Sequence, residues 1–109
     1  MSCISLFQGR YYNEVVKINE DIRVVFRDAG HMLGSSSLEI FITENGKTTK
    51  IIFSGDIGTS NNPILNNPYV LSGCDYLVME STYGNRIHEP YKESVHSLIE
   101  IIEKVSSRG

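Results

Sequence analysis

Ser37-Leu38-Glu39-Ile40-Phe41-Ile42-Thr43-Glu44-Asn45-Gly46-Lys47-Thr48-Thr49-Lys50-Ile51-Ile52-Phe53 is the stretch that decides the fold of this chain. Leu38, Ile40 and Ile42 alternate with more polar neighbours, the period of two that places one set of side chains on one strand face. Asn45-Gly46 then interrupts the pattern, and Asn-Gly between alternating runs is a strong hairpin signal because both central residues need φ > 0. The return strand, over residues 49–53, is rich in β-branched residues. A hairpin brings together the two chain segments at its open end. Here those segments lead to His31 and Asp56.

Outward from the hairpin the reading stays mostly strand. Residues 14–18 and 22–27 are expected to form two strands joined by the turn Asn19-Glu20-Asp21. Residues 61–68 hold four asparagines and two prolines and read as a loop. Asp75-Tyr76-Leu77-Val78-Met79-Glu80 reads as a mostly buried strand. A helix is expected from Pro90, with proline in its first turn. Its apolar stripe is Tyr91, Val95, Leu98, Ile99, Ile102 and Val105, and Gly109 marks its end. Strands, a loop, a strand and a packing helix imply a layered α/β arrangement with mainly antiparallel strands, not a closed barrel.

His31 lies in Asp28-Ala29-Gly30-His31-Met32-Leu33-Gly34-Ser35-Ser36, a strand-end loop in which glycines allow close backbone approach. Asp56 lies in Ser54-Gly55-Asp56-Ile57-Gly58, which ordinary turn chemistry also explains. An imidazole and a carboxylate meeting across a hairpin are nonetheless suited to divalent metal. A carboxylate has two oxygens and can bridge two ions, as in two-metal sites that clamp both oxygens of a phosphoryl displacement. Zinc held by His and Asp also lowers the pKa of its bound water to about 7. A catalytic zinc needs about three protein ligands, so these two cannot suffice alone.

A third cluster, Met79-Glu80-Ser81-Thr82-Tyr83-Gly84-Asn85-Arg86-Ile87-His88, places Glu80 at a strand end, on the edge expected for His31 and Asp56. Arg86 and His88 are weaker candidates for holding a phosphate, and either could instead pair with acidic neighbours. His96 lies at the border of the helix stripe and is assigned no role.

Composition narrows the classes. At 109 residues the chain is one domain or part of one, and 40% hydrophobic residues suffice for a core. A net charge of −3 removes any global basic field, so RNA contact would come from a local patch. Cys3 and Cys74 show no CxxC spacing and no secreted framework, so reduced thiols are expected. No signal-peptide segment and no apolar run of about 18 residues occurs, which points to a cytoplasmic protein without a membrane span.

The three motifs together, Asp28 through Ser35, Phe53-Ser54-Gly55-Asp56-Ile57-Gly58 and Glu80-Ser81-Thr82-Tyr83-Gly84-Asn85-Arg86, resemble the β-CASP branch of the metallo-β-lactamase superfamily. That branch contains RNA-processing nucleases. The resemblance spans roughly residues 15–105 and implies a partial metallo-β-lactamase αββα sandwich. It implies that His31 is a ligand of one zinc and that Asp56 bridges two. It further implies that Glu80 is the first acidic motif of this branch, orienting a distant histidine that protonates the leaving group. The chain departs from the family pattern in having no His-x-His-x-Asp-His motif and no β-CASP cap. Residues 1–109 are therefore expected to be a partial lactamase-like domain carrying an incomplete zinc site.

The leading expectation is a segment of a zinc-dependent ribonuclease that hydrolyses RNA phosphodiester bonds and is inactive in isolation. A non-catalytic interaction or RNA-binding module is the alternative, with self-association through an exposed apolar face. A hydrolase of DNA or small esters on the same fold is a third reading, against which the cluster from Glu80 to Arg86 stands.

Overall fold

The structure is a computed structural model in which residues 3–87 and 90–108 are described, apart from the side chain of Tyr91. It contains a five-stranded sheet in the order β1-β2-β3-β4-β5 and one C-terminal helix, α1. The strands are β1 (Val15–Lys17), β2 (Ile22–Asp28), β3 (Ser36–Glu44), β4 (Lys47–Phe53) and β5 (Tyr76–Val78). A short 3-10 turn, Cys3–Leu6, precedes them.

The hairpin forms as the sequence implies. Asn45 and Gly46 take φ values of 50° and 76°, and β3 pairs with β4 from Glu44↔Lys47 to Leu38↔Phe53. This twin left-handed turn matches the twist of the flanking strands, which fixes the register without a bulge. At the neighbouring turn Asn19 Oδ1 accepts the N–H groups of Asp21 and Ile22, at 2.9 and 2.7 Å. That side chain replaces backbone partners and turns β1 into β2.

β2 and β4 each run antiparallel to β3, whereas β5 runs parallel to β4. The carboxyl ends of β2, β4 and β5 therefore lie at the same end of the sheet. That arrangement delivers the loops bearing His31, Asp56 and Glu80 to one edge.

Burial is unequal on the two faces. Val25, Ser37, Glu39, Ile52 and Ser54 are all buried, and their register places them on one face. The connection between β4 and β5 covers it: the Tyr69 ring lies 4.4 Å from the Arg27 guanidinium carbon, and Lys50 Nζ donates to Ser72 O at 2.7 Å. At the centre Glu39 pairs with Arg27 Nε at 2.6 Å and with Lys50 Nζ. Burial pushes the Glu39 carboxyl up, but its bonds to Lys50 and Arg27 outweigh that and hold it below the usual range. The opposite face, with Phe26, Leu38, Ile40, Ile42 and Ile51, is only half-buried.

Two expectations need correction. The strand around residue 77 is short, and Tyr76, Leu77 and Val78 are all exposed, not buried, because β5 is an edge strand with no layer packed over it. The helix spans Tyr91–Ser106, with Pro90 at its N-cap and its chain end formed through Ser107 N–H to Glu103 O. It does not pack on the sheet: among the described residues α1 contacts no strand, and Leu98, Ile99, Ile102 and Val105 are exposed. Its apolar stripe is real but uncovered. The side chain of the stripe's first member, Tyr91, and Gly109 lie outside what is described. No helix among the described residues is long and apolar enough to cross a membrane.

Candidate metal and phosphodiester site

The loop after β2 is built by its own short polar side chains. Asp28 Oδ1 accepts the Gly30 N–H at 2.9 Å, an Asx turn that reverses the chain immediately after the strand. Ser35 Oγ accepts the N–H groups of His31 and Met32, at 3.1 and 3.2 Å. Tyr12 donates its hydroxyl to Ser35 O at 2.8 Å and so holds the far side of the loop. Burial, followed by the Asp28 charge, raises the Tyr12 hydroxyl above its ordinary range, which keeps it a donor. The His31 backbone is thus fixed while its side chain is exposed.

The loop after β4 meets this one backbone to backbone. Gly58 N–H donates to Ala29 O at 2.8 Å. A methyl group at Gly58 would overlap the carbonyl oxygen of Gly30 and sit 2.7 Å from His31 N. Gly30 itself has φ of 62°, and a methyl group there would lie 2.6 Å from Asn66 O. Glycine at these two positions lets three backbone segments stack where ordinary residues would hold them apart.

Glu80 ties in the third loop. Its Oε1 accepts the Ile57 N–H at 2.6 Å, and its own N–H donates to Ser54 Oγ at 3.0 Å. The Ile57 N–H is the main reason the Glu80 carboxyl lies below its ordinary range; Thr82 and His31 add to that, against a smaller opposing effect of desolvation. Ser54 is buried and also accepts the Ser37 hydroxyl through its carbonyl, at 2.6 Å. Ile57, the residue after Asp56, is therefore held by the Glu80 carboxylate, and the Glu80 backbone is in turn anchored on the buried Ser54.

His31, Asp56 and Glu80 thus stand on three loops at one sheet end, and the loops touch. Asp56 is exposed, and its carboxylate has no hydrogen-bond or ion-pair partner among the described residues. One imidazole nitrogen donor and one carboxylate suit zinc by type. Among the described residues, no group of three or more His, Cys, Asp and Glu side chains gathers to hold a metal. Arg86 is exposed and lies 5.7 Å from the Tyr83 ring centroid. His88 lies outside the described residues. His96 pairs with Glu100 at 3.2 Å on the exposed helix surface, away from this cluster.

No sign in the sequence marks Tyr12, Ser35 and Ser54 as supports of the site, or Tyr83, which with His31, Ile57, Gly58 and Asn62 lines a hollow beside it. The Asx pattern at Asp28-Ala29-Gly30 was a readable signal for the first loop. A long-range contact such as Tyr12 to Ser35 leaves no local signature.

No family model matches the chain. Among curated proteins it is similar to Ribonuclease TTHA0252 of Thermus thermophilus, 34% identical over 98 residues covering 90% of this chain and 22% of the relative. It is similar to the transcription termination factor FttA of Pyrococcus abyssi, 38% identical over 101 residues, 90% of this chain and 15% of that protein. It is also similar to the endoribonuclease YSH1 of Kluyveromyces lactis, at 29% over 99 residues and 12% of the relative's length. The chain spans less than a quarter of each.

Proposed function

This stretch of chain belongs to the β-CASP branch of the metallo-β-lactamase superfamily, and from that premise we propose that it is part of the αββα lactamase-like domain of a zinc-dependent ribonuclease. The observation that carries the reading is the meeting of three loops at one sheet end, with backbones locked and the His31 and Asp56 side chains left toward solvent. His31 would hold one zinc, and Asp56, with two carboxylate oxygens, would bridge a pair. Bound zinc would polarise the phosphodiester and make water a nucleophile at neutral pH. Glu80 keeps the Asp56 loop in place through Ile57 and, as an ionised carboxylate, would also orient a histidine that protonates the leaving oxygen. Arg86, with His88, would neutralise phosphate charge on the approaching RNA.

Two donors are fewer than a catalytic zinc requires. In the family pattern that the chain resembles, the remaining ligands would come from a His-x-His-x-Asp-His motif and a cap, neither of which residues 1–109 contain. On its own this chain would then bind zinc weakly and cleave RNA little or not at all. Zinc titration combined with turnover on a fluorescent RNA tests this. Weak, chelator-reversible binding without turnover is expected; vigorous chelator-sensitive cleavage by the 109-residue chain would contradict it. The small number of ligands also favours one competing reading, a module that binds RNA or protein without cutting. RNA binding that ignores zinc and survives loss of both His31 and Asp56 would support that alternative.

A further inference from the structure

We infer that the hollow beside His31 seats a nucleobase of single-stranded RNA, with the Tyr83 ring as its stacking surface and the Asn62 amide as its polar edge. This rests on the ribonuclease reading above and names a subsite within it.

The hollow has a volume of about 330 Å³ and is walled by His31, Ile57, Gly58, Asn62 and Tyr83. It lies within the typical size range of small-ligand sites, near the lower end at roughly 300 Å³. It sits at the glycine contact that joins the His31 and Asp56 loops, and His31, one of the two candidate metal ligands, forms part of its wall. A phosphate held beside His31 would bring a neighbouring base to this hollow.

Three observations on the walls point to a base. Tyr83 takes φ of 58°, a conformation natural to glycine or asparagine and strained for a bulky side chain. Glycine is the very next residue, yet the tight turn places tyrosine in the strained position, where the residue is more than half exposed at 57%. A strained aromatic residue at a site is an observation that argues for a binding role. Next, the Arg86 guanidinium lies 5.7 Å from the ring centroid, within cation–π range. It provides positive charge beside the aromatic surface, the pairing used to bind single strands through backbone and base together. Finally, Asn62 Oδ1 is committed to the N–H groups of Ile64 and Leu65, at 2.9 and 3.2 Å. The Asn62 amide N–H groups are therefore the donors offered to a base edge, which carries acceptors.

The test titrates the full 109-residue chain with a short single-stranded oligoadenylate, following tyrosine ring and side-chain amide NMR signals. The Tyr83 ring and the Asn62 amide are expected to shift together. Tyr83→Gly relieves the backbone strain while removing the ring, and should weaken binding about five- to hundredfold, the effect of losing one stacked base. Tyr83→Phe should bind as the parent does. Circular dichroism melts of both variants check that the fold is kept. Binding with shifts at His31 and Arg86 but an unchanged affinity for Tyr83→Gly would overturn the base seat and leave the ribonuclease reading standing. No shift at Tyr83 or Asn62 at saturating oligonucleotide would also overturn it, while the zinc and cleavage measurements judge the ribonuclease reading separately.

Discussion

Gly58 shows how a single missing methyl group can assemble a site. Its φ is not in the left-handed region; it is required because the Gly30 carbonyl and the His31 amide occupy the space a side chain would need. Gly58→Ala should destabilise the chain by about 3 kcal/mol, the upper part of the range for overpacking. Gly34→Ala makes a useful contrast: nothing lies within 4 Å, so only its φ of 84° is strained. That change should cost about 1 kcal/mol. Urea unfolding of both variants checks the order, and equal effects would contradict the stacked-loop geometry. The glycines flanking His31 and Asp56 were legible in the sequence as marks of close approach. What they approach was not, because Gly58 meets Gly30 across 28 residues of chain. The same holds for Glu80, which the sequence places at a strand end without revealing that its carboxylate holds the Ile57 N–H.

Among the elements, the hairpin was the most legible because Asn45-Gly46 and the alternation of Leu38, Ile40 and Ile42 are local signals. Burial was much less so. The best-covered face carries Glu39, Arg27 and Lys50, since the β4–β5 connection lies over it, and no strand pattern announces where a long loop will cross. Glu39 joins three strands, and Glu39→Ala would leave two cations without their partner; a loss of about 3 kcal/mol is expected. The pH dependence follows from its lowered carboxyl pKa. A depressed folded pKa gives stability that is fully present above the ordinary glutamate value of about 4.3 and is lost as pH falls through the folded value. The difference in urea midpoint between the parent chain and Glu39→Gln should therefore be largest near neutral pH and shrink towards about pH 3. A difference that grows on acidification would contradict the ion pairing. Helix α1 gives a different lesson: periodicity identified it, but periodicity cannot say what an apolar stripe meets. Because the helix contacts no strand, Ile99→Ala should change sheet stability by less than about 0.5 kcal/mol. Ile52→Ala, in the covered face, should cost about 2–5 kcal/mol.

Taken whole, the molecule exposes far more surface than its mass requires. Its accessible surface is 9296 Å² at 12.3 kDa, whereas a compact monomer of that mass exposes about 6,100 Å². Its radius of gyration is 19.9 Å, against about 13 Å for a compact domain of this length. The excess lies on the half-buried sheet face and the uncovered helix, surfaces of the kind that recruit another layer. Sedimentation should therefore show concentration-dependent self-association of the isolated chain, and a monomer at all concentrations would count against an adhesive apolar face. These surfaces frame the site without completing it, which leaves His31 and Asp56 as the part of the reading most open to a direct check. Zinc titration of the chain, followed by NMR at the His31 imidazole and the Asp56 carboxylate, provides it. Both groups are expected to shift together in a weak interaction that Asp56→Ala and His31→Ala each abolish and His96→Ala retains. Zinc shifts confined to His96 or to the exposed thiols of Cys3 and Cys74, with His31 and Asp56 unmoved, would contradict it.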